Sequence, residues 1–313
     1  MVRALHPPAA VLPELPLGWC LRPGNEALHS VALPHGKTFL HCADIDAMPT
    51  LGALCERLRN LDRRGVVLKG CSAELANDIE SAGGQSVVLS HSARIDLEGY
   101  KAPHKARNLA KKGAKEVAIR EVPRDASTDA SAEALLAAVR GTAEPRILYA
   151  YRTLPSSAAR VFAAESNATK SWVGLLTLTR YGPASWHVEL LVRHPEAPQG
   201  TMEHLVVEVA ELLRKEGAKA LNLGDVPMVM PRDDGEQIIG WDRFGPVNRA
   251  LASLAPRLGK LVAHHYDVQG LYQWKNKFEP TWEPRALAGF PTLGPRDLLE
   301  MMRATGITGL FRK

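Results

Sequence analysis

A chain of 313 residues, 45% hydrophobic and 23% charged, has enough apolar material for one large or two ordinary domains with true cores, which excludes a disordered tail. Lys plus Arg total 39 against 34 Asp plus Glu, so the net charge of +5 excludes wholesale coating of nucleic acid and confines any anion site to a local patch. No stretch approaches the roughly 18 apolar residues that a membrane-spanning helix requires.

Residues 1–30 form a Pro-rich leader in which Pro7, Pro8, Pro13, Glu14 and Pro16 interrupt the apolar run, a poor secretory signal. The expected location is therefore cytoplasmic. Cys20, Cys42, Cys55 and Cys71 have no C-x-x-C spacing and no histidine at a metal-ligand interval, so they read as reduced thiols with no metal. Leu51, Leu54, Cys55, Leu58 and Leu61 recur at helical spacing, and Val66 to Lys69 reads as a strand. Ser72 caps a second helix that stops at Gly83-Gly84. Ser86 to Leu89 and Glu116 to Val122 complete a βαβα rhythm.

An Ala/Leu-rich helix follows from Ser127 to Gly141, and Pro145 opens a strand near Ile147 to Tyr151. The domain boundary is placed there, giving units 31–143 and 144–313. Trp172 to Thr179 is a strand, and Tyr181 to Ala184 is a turn. Trp186, Val188, Leu190 and Val192 then alternate with His187, Glu189 and Arg193, a hairpin with one buried face. From Thr201, the residues Met202, Leu205, Val206, Val209, Leu212 and Leu213 fall on one helical stripe that Gly217 ends. Ala220 to Leu223 is the next strand. The order strand, strand, helix, strand is the core of the GNAT acyltransferase fold, although periodicity alone fits several α/β folds.

Three constellations bear on chemistry. Lys101, His104, Lys105, Arg107, Lys111 and Lys112 fall within a dozen acid-free residues, an anion surface suited to a phosphate backbone or else a plain solvated face. At the helix opening on Gly200, coenzyme-A enzymes of the GNAT type present a Q/R-x-x-G-x-G/A loop to a pyrophosphate. Only Gly200 survives of such a loop, and Glu203 in the first turn either repels a diphosphate while welcoming an α-ammonium or simply favours the helix start. Third, Leu271, Trp274 and Phe278 make a core stripe and Pro280 ends the helix, so Lys275 and Lys277 point off the stripe. One of them is expected to face a cleft and stabilise an oxyanion, the alternative being salt bridges to Glu279 or Glu283. Arg285 suits phosphate or carboxylate, or packs on Trp282; Asn222 and Asp225 leave the C-terminal end of a strand, where α/β folds place ligands. His264-His265 would point to opposite strand faces and make a poor metal pair. There is no nucleophilic-serine elbow, P-loop, H-E-x-x-H or dinucleotide fingerprint.

The stretches Arg193 to Glu203, Leu221 to Met228 and Gly270 to Arg285, with Ile95 to Gly99 and Lys105 to Gly113, resemble the C-terminal domain of phosphatidylglycerol lysyltransferases in order and separation. The most specific block is K-x-K-F-x-P-x-W-E-P-R. The resemblance implies an α/β protein with mixed sheets, built as two tandem GNAT-like acyltransferase domains. It also implies a soluble stand-alone enzyme moving an amino acid from aminoacyl-tRNA to a hydroxyl or amine on a lipid head group, peptide or small molecule. Its catalytic residues would be Lys275, Lys277 and Glu203, and its substrate-binding residues Arg193, Asn222, Asp225 and Arg285. Lys101, Lys105, Arg107, Lys111 and Lys112 would contact tRNA. No cofactor is implied beyond the aminoacyl-tRNA co-substrate, and peripheral membrane contact is compatible. The family usually has Asp at the position of Glu203 and an uncharged residue at that of Asp225. Two rival readings remain: an acyl-coenzyme-A-dependent N-acyltransferase, and a non-catalytic module binding RNA or anionic surfaces.

Overall fold

Strands whose successive side chains enter cores on opposite faces organise this protein. The computed structural model describes residues 30–41, 64–140, 160–180, 184–227 and 268–304. Among the described residues ten strands form one sheet: β1 (Ser30–Ala32), β2 (Thr38–His41), β3 (Val66–Cys71), β4 (Gln85–Asp96), β5 (Val117–Val122), β6 (Arg160–Ser166), β7 (Trp172–Arg180), β8 (Ser185–Arg193), β9 (Ala220–Pro227) and β10 (Thr281–Phe290). Their spatial order is β1-β2-β3-β10-β4-β9-β8-β7-β6-β5. Among these neighbours β2/β3 and β8/β9 run parallel and the rest antiparallel.

The helices are α1 (Ala73–Ser81), α2 (His104–Gly113), α3 (Ala126–Arg140), α4 (Thr201–Lys215), α5 (Val268–Asn276) and α6 (Pro295–Ala304). In the β3 half, Val66 and Leu68 pack with Leu75 and Ile79 of α1, whereas Val67 packs oppositely with Leu293 and Met301. In the β7 half, Leu176 and Leu178 meet Leu205 and Val209 of α4, while Leu175 and Val192 meet Leu136 of α3. Period-two burial on both faces is what a sheet covered on both sides demands.

The twelve-residue β4 joins the halves, contributing Val87 to the core that holds Leu293 and Ala93 and Ile95 to the core that holds α4. It lies between β10 and β9, so strands from both sides of residue 143 share one sheet. The expected boundary itself lies outside the described residues, as do the leader through residue 29, Cys20, Cys42, Cys55, the helix over 51–61, the strand near 147–151, residues 181–183 and His264-His265. Cys71 is buried, and its thiol donates to the Leu68 carbonyl at 3.7 Å.

Several expected elements are present. Ser72 caps α1, its hydroxyl accepting from the Leu75 N–H at 3.3 Å. Residues 281–285, to which the sequence reading gave no element, begin the interior strand β10. Pro284 is tolerated because β10 pairs only with β4 there, its β3 pairing starting at Ala286.

Candidate functional site

The parallel β8/β9 pairing covers only Ser185–His187 against Ala220–Asn222. Beyond that point β8 pairs onward with β7 and β9 with β4, so the two strands part. A cavity of about 740 Å³ lies at this divergence, walled by His187, Val188, Glu189 and Leu191 of β8 and Leu223, Gly224 and Asp225 of β9. The first turn of α4 contributes Met202 and Glu203, α5 contributes Leu271, Trp274 and Lys275, and Lys277 and Arg193 also line it.

Residues far apart in sequence thus meet. Glu203 occupies the first turn of α4, where its charge complements the positive helix end. Its Oε1 accepts from Lys277 Nζ at 2.7 Å and from Trp274 Nε1 at 3.2 Å. Both lysines line the cavity, although only one was expected to. Lys277 pairs with Glu203 rather than Glu279 or Glu283, because α5 ends at Asn276 and Lys277 lies in the turn beyond it. Phe278, outside α5, is buried in the core.

Lys275 is 4% exposed, and its Nζ donates to the main-chain carbonyls of Gly224 (2.8 Å) and Asp225 (3.1 Å). Burial pulls this amine down to about 7, with the negative charge of Asp225 opposing the fall. Gly224 is left-handed at φ 86°, and its N–H donates to Asn222 Oδ1 at 2.7 Å, an irregularity within β9 that turns two carbonyls toward Lys275. An amine with two donors so engaged keeps a lone pair when neutral, or a third N–H when charged, for a ligand.

Asp225 accepts from Ser90 Oγ at 3.0 Å through Oδ2, and its buried Oδ1 has no hydrogen-bond partner among the described residues. His187 is 4% exposed and is pulled down to about 4, chiefly by burial, with Lys275 and Arg285 adding and Asp225 opposing. It is neutral at ordinary pH. His187 and Glu189 were not among the expected site residues: the strand alternation puts them on the face read as solvent-facing, but that face is the cavity wall.

Asn222 and Arg285 lie elsewhere. Both line a second cavity of about 360 Å³ together with Arg94, Glu283 and Ser185. Asn222 is 2% exposed and exchanges hydrogen bonds with Ser92 of β4, so its amide ties β9 to the sheet. Arg285 is held by Glu283 at 2.9 Å. Both Asn222 and Asp225 sit within β9, which continues to Pro227, rather than past its end.

The basic helix is α2. Ala106, Ala110 and Gly113 are buried, while Lys105, Arg107, Lys111 and Lys112, with Lys101 just before, are exposed and form no ion pair among the described residues. A Cβ on Gly200 would lie 2.1 Å from the Leu109 carbonyl oxygen, and one on Gly113 would lie 2.5 Å from the Gly200 carbonyl oxygen. Two glycines therefore let the end of α2 press against the start of α4. Leu109 also lines the main cavity, so the cationic face belongs to a helix that reaches the site.

The family described as phosphatidylglycerol lysyltransferase, C-terminal, matches residues 42–289. The lysylphosphatidylglycerol biosynthesis bifunctional protein LysX of Rhodococcus opacus is 26% identical over 114 residues, 36% of this chain and 10% of that protein, so the chain matches about a tenth of that relative's length. Among solved structures, L-PGS from Bacillus licheniformis superposes with a TM-score of 0.64 at 15% identity, covering 88% of this chain and 83% of that one. The C-terminal domain of a putative lysylphosphatidylglycerol synthetase from Agrobacterium fabrum gives 0.63 at 19%, covering 88% and 84%. These likenesses show a shared fold. Among the described residues no helix is long and apolar enough to cross a membrane.

Proposed function

Because this chain belongs to the phosphatidylglycerol lysyltransferase C-terminal family, we propose that it is an aminoacyltransferase moving an amino acid from aminoacyl-tRNA to an acceptor hydroxyl or amine. The observation that carries this reading is the convergence of Glu203, Lys277 and Lys275 on one cavity beside the unpaired cationic face of α2. A tRNA backbone suits that face, and its 3′ end suits the cavity mouth.

The start of α4 supports an ester donor over coenzyme A. A helix N-terminus binds a diphosphate by aiming free N–H groups at it. Here the Leu109 carbonyl crowds Gly200, the Thr201 N–H bonds the Pro198 carbonyl, and Glu203 adds negative charge.

In the proposed reaction the acceptor oxygen or nitrogen attacks the ester carbonyl carbon. The new bond forms as the bond to the tRNA 3′-terminal ribose oxygen breaks, and the proton lost by the acceptor ends on that ribose oxygen. Lys277, oriented by Glu203, stabilises the tetrahedral oxyanion. Lys275, poised near neutrality by burial, takes the acceptor proton and returns it to the leaving oxygen. The donor ester is already activated, so the cycle closes without a nucleotide triphosphate.

The test is incubation with pools of labelled aminoacyl-tRNA and candidate acceptors, phosphatidylglycerol vesicles among them. Label is expected to leave one pool and appear in one acceptor. No transfer from any pool, together with no tRNA retention at low salt, contradicts the reading.

A further inference from the structure

Glu203 is the carboxylate that the sequence offers to the donor's ammonium, yet it is already engaged by Lys277 and Trp274. Both of those donors reach one oxygen, Oε1, whereas a second carboxylate on the same cavity wall has a buried oxygen that no donor reaches among the described residues. Asp225 makes one hydrogen bond, from Ser90 to Oδ2, and its buried Oδ1 is left without a donor. No Lys, Arg or His among the described residues pairs with it as an ion.

The basic groups around Asp225 interact with its charge, but none of them donates a hydrogen bond to Oδ1. Lys275 of α5 directs Nζ to main-chain carbonyls rather than to the carboxylate. His187 of β8 is neutral, Arg285 of β10 is engaged by Glu283, and burial depresses Lys69 of β3. A carboxylate oxygen shut away from water and lacking a donor is costly to keep, and the cost is relieved when a cation with N–H groups arrives. The cavity beside it is where such a group can enter.

We infer that Asp225 is the receptor for a primary ammonium of the incoming aminoacyl group, with Oδ1 accepting the hydrogen bond that the protein leaves unmade. That the ammonium belongs to an aminoacyl ester rests on the transferase reading above; the ammonium site itself does not. The α-ammonium and a basic side chain share this chemistry. They separate by experiment.

Calorimetric titration of the full chain uses three small amides: alaninamide, with only an α-ammonium; Nα-acetyllysinamide, with only a side-chain ammonium; and Nα-acetylalaninamide, with neither. The parent protein is expected to bind at least one of the first two and not the third. Asp225→Asn is expected to weaken that binding by about tenfold or more, the range of a lost charge-assisted hydrogen bond, and Asp225→Glu to restore part of it. Loss confined to alaninamide assigns the α-ammonium, and loss confined to Nα-acetyllysinamide assigns the side chain. Thermal unfolding of Asp225→Asn and Asp225→Ala identifies a folded variant for the comparison. Binding of neither ammonium by the parent, or unchanged binding in the folded variant, overturns the inference. Asp225-dependent binding without any transfer from aminoacyl-tRNA would leave the ammonium site standing and remove the transferase reading; transfer with parental KM in Asp225→Asn would do the reverse.

Discussion

Two buried charge clusters in this protein are built on opposite plans. Where the turn between β1 and β2 meets α6, Lys37 Nζ lies 2.8 Å from Asp297 Oδ2, His35 Nε2 lies 2.5 Å from Asp297 Oδ1, and the other ring nitrogen of His35 contacts Glu300. Arg296 takes the remaining Glu300 oxygen at 2.9 Å, and the Gly294 N–H donates to Asp297 at 2.7 Å. Every carboxylate oxygen there has a partner. In the cavity, by contrast, a carboxylate oxygen of Asp225 has none, and Lys275 meets carbonyls rather than an acid. The first cluster closes the chain on itself across about 260 residues of sequence. The second leaves bonds unmade beside a void, which marks where a ligand belongs.

This contrast can be broken by removing one member from each cluster. Asp297→Ala leaves Lys37 and His35 without their acid and should cost about 3–5 kcal/mol of folding stability, measured by urea unfolding, while the folded fraction keeps its transfer rate. Lys277→Ala should lower the transfer rate by about 10²–10³, the cost of losing one group that stabilises an oxyanion, with a much smaller change in unfolding.

How the two clusters were read from sequence differs too. The types and spacings of Glu203, Lys275 and Lys277 were legible because they sit in a distinctive string, but their mutual geometry was not, since Lys277 and Glu203 are 74 residues apart. The helix over 201–215, the strands at 66–71 and 172–193 and the cap at Ser72 were legible because period and punctuation agreed. Strand β10 was hidden by Pro280 and Pro284, whereas β6 went unread although Asn167, Thr169 and Ser171 mark a turn after it. His35, Lys37, Asp297 and Glu300 gave no local pattern because their association is wholly tertiary.

Acid and alkali sharpen the comparison further. Burial opposes the ionised forms of Asp297 and Glu300, but Lys37 and His35 outweigh it and hold both acids low, Glu300 at about 2. Depressed acids stabilise above their unfolded values, so this contribution should fade as pH drops from about 4.5 toward 2. Lys275 costs stability where the acids add it, yet its pH slope has the same sign. Its amine is lowered from 10.5 to about 7, so between those values the unfolded chain binds more protons and stability should rise with pH. Lys275→Met should flatten that alkaline rise and leave the acid limb unchanged, read from unfolding midpoints across pH.

The smallest effect per residue belongs to the exposed face of α2. Lys105→Ala or Lys112→Ala should each reduce the slope of log tRNA affinity against log salt by about 1, with folding stability unchanged.

The central claim is that the divergence of β8 and β9 receives an aminoacyl ester. Its most direct test is a crystal structure of the protein with a stable 3′-aminoacylamide of adenosine, the terminal fragment of the proposed donor. The account predicts the amide carbonyl within hydrogen-bond reach of Lys277 Nζ and the amino acid inside the cavity bounded by Glu203 and Asp225. A fragment bound elsewhere, or coenzyme A seated in that cavity with its diphosphate at Gly200, would contradict it.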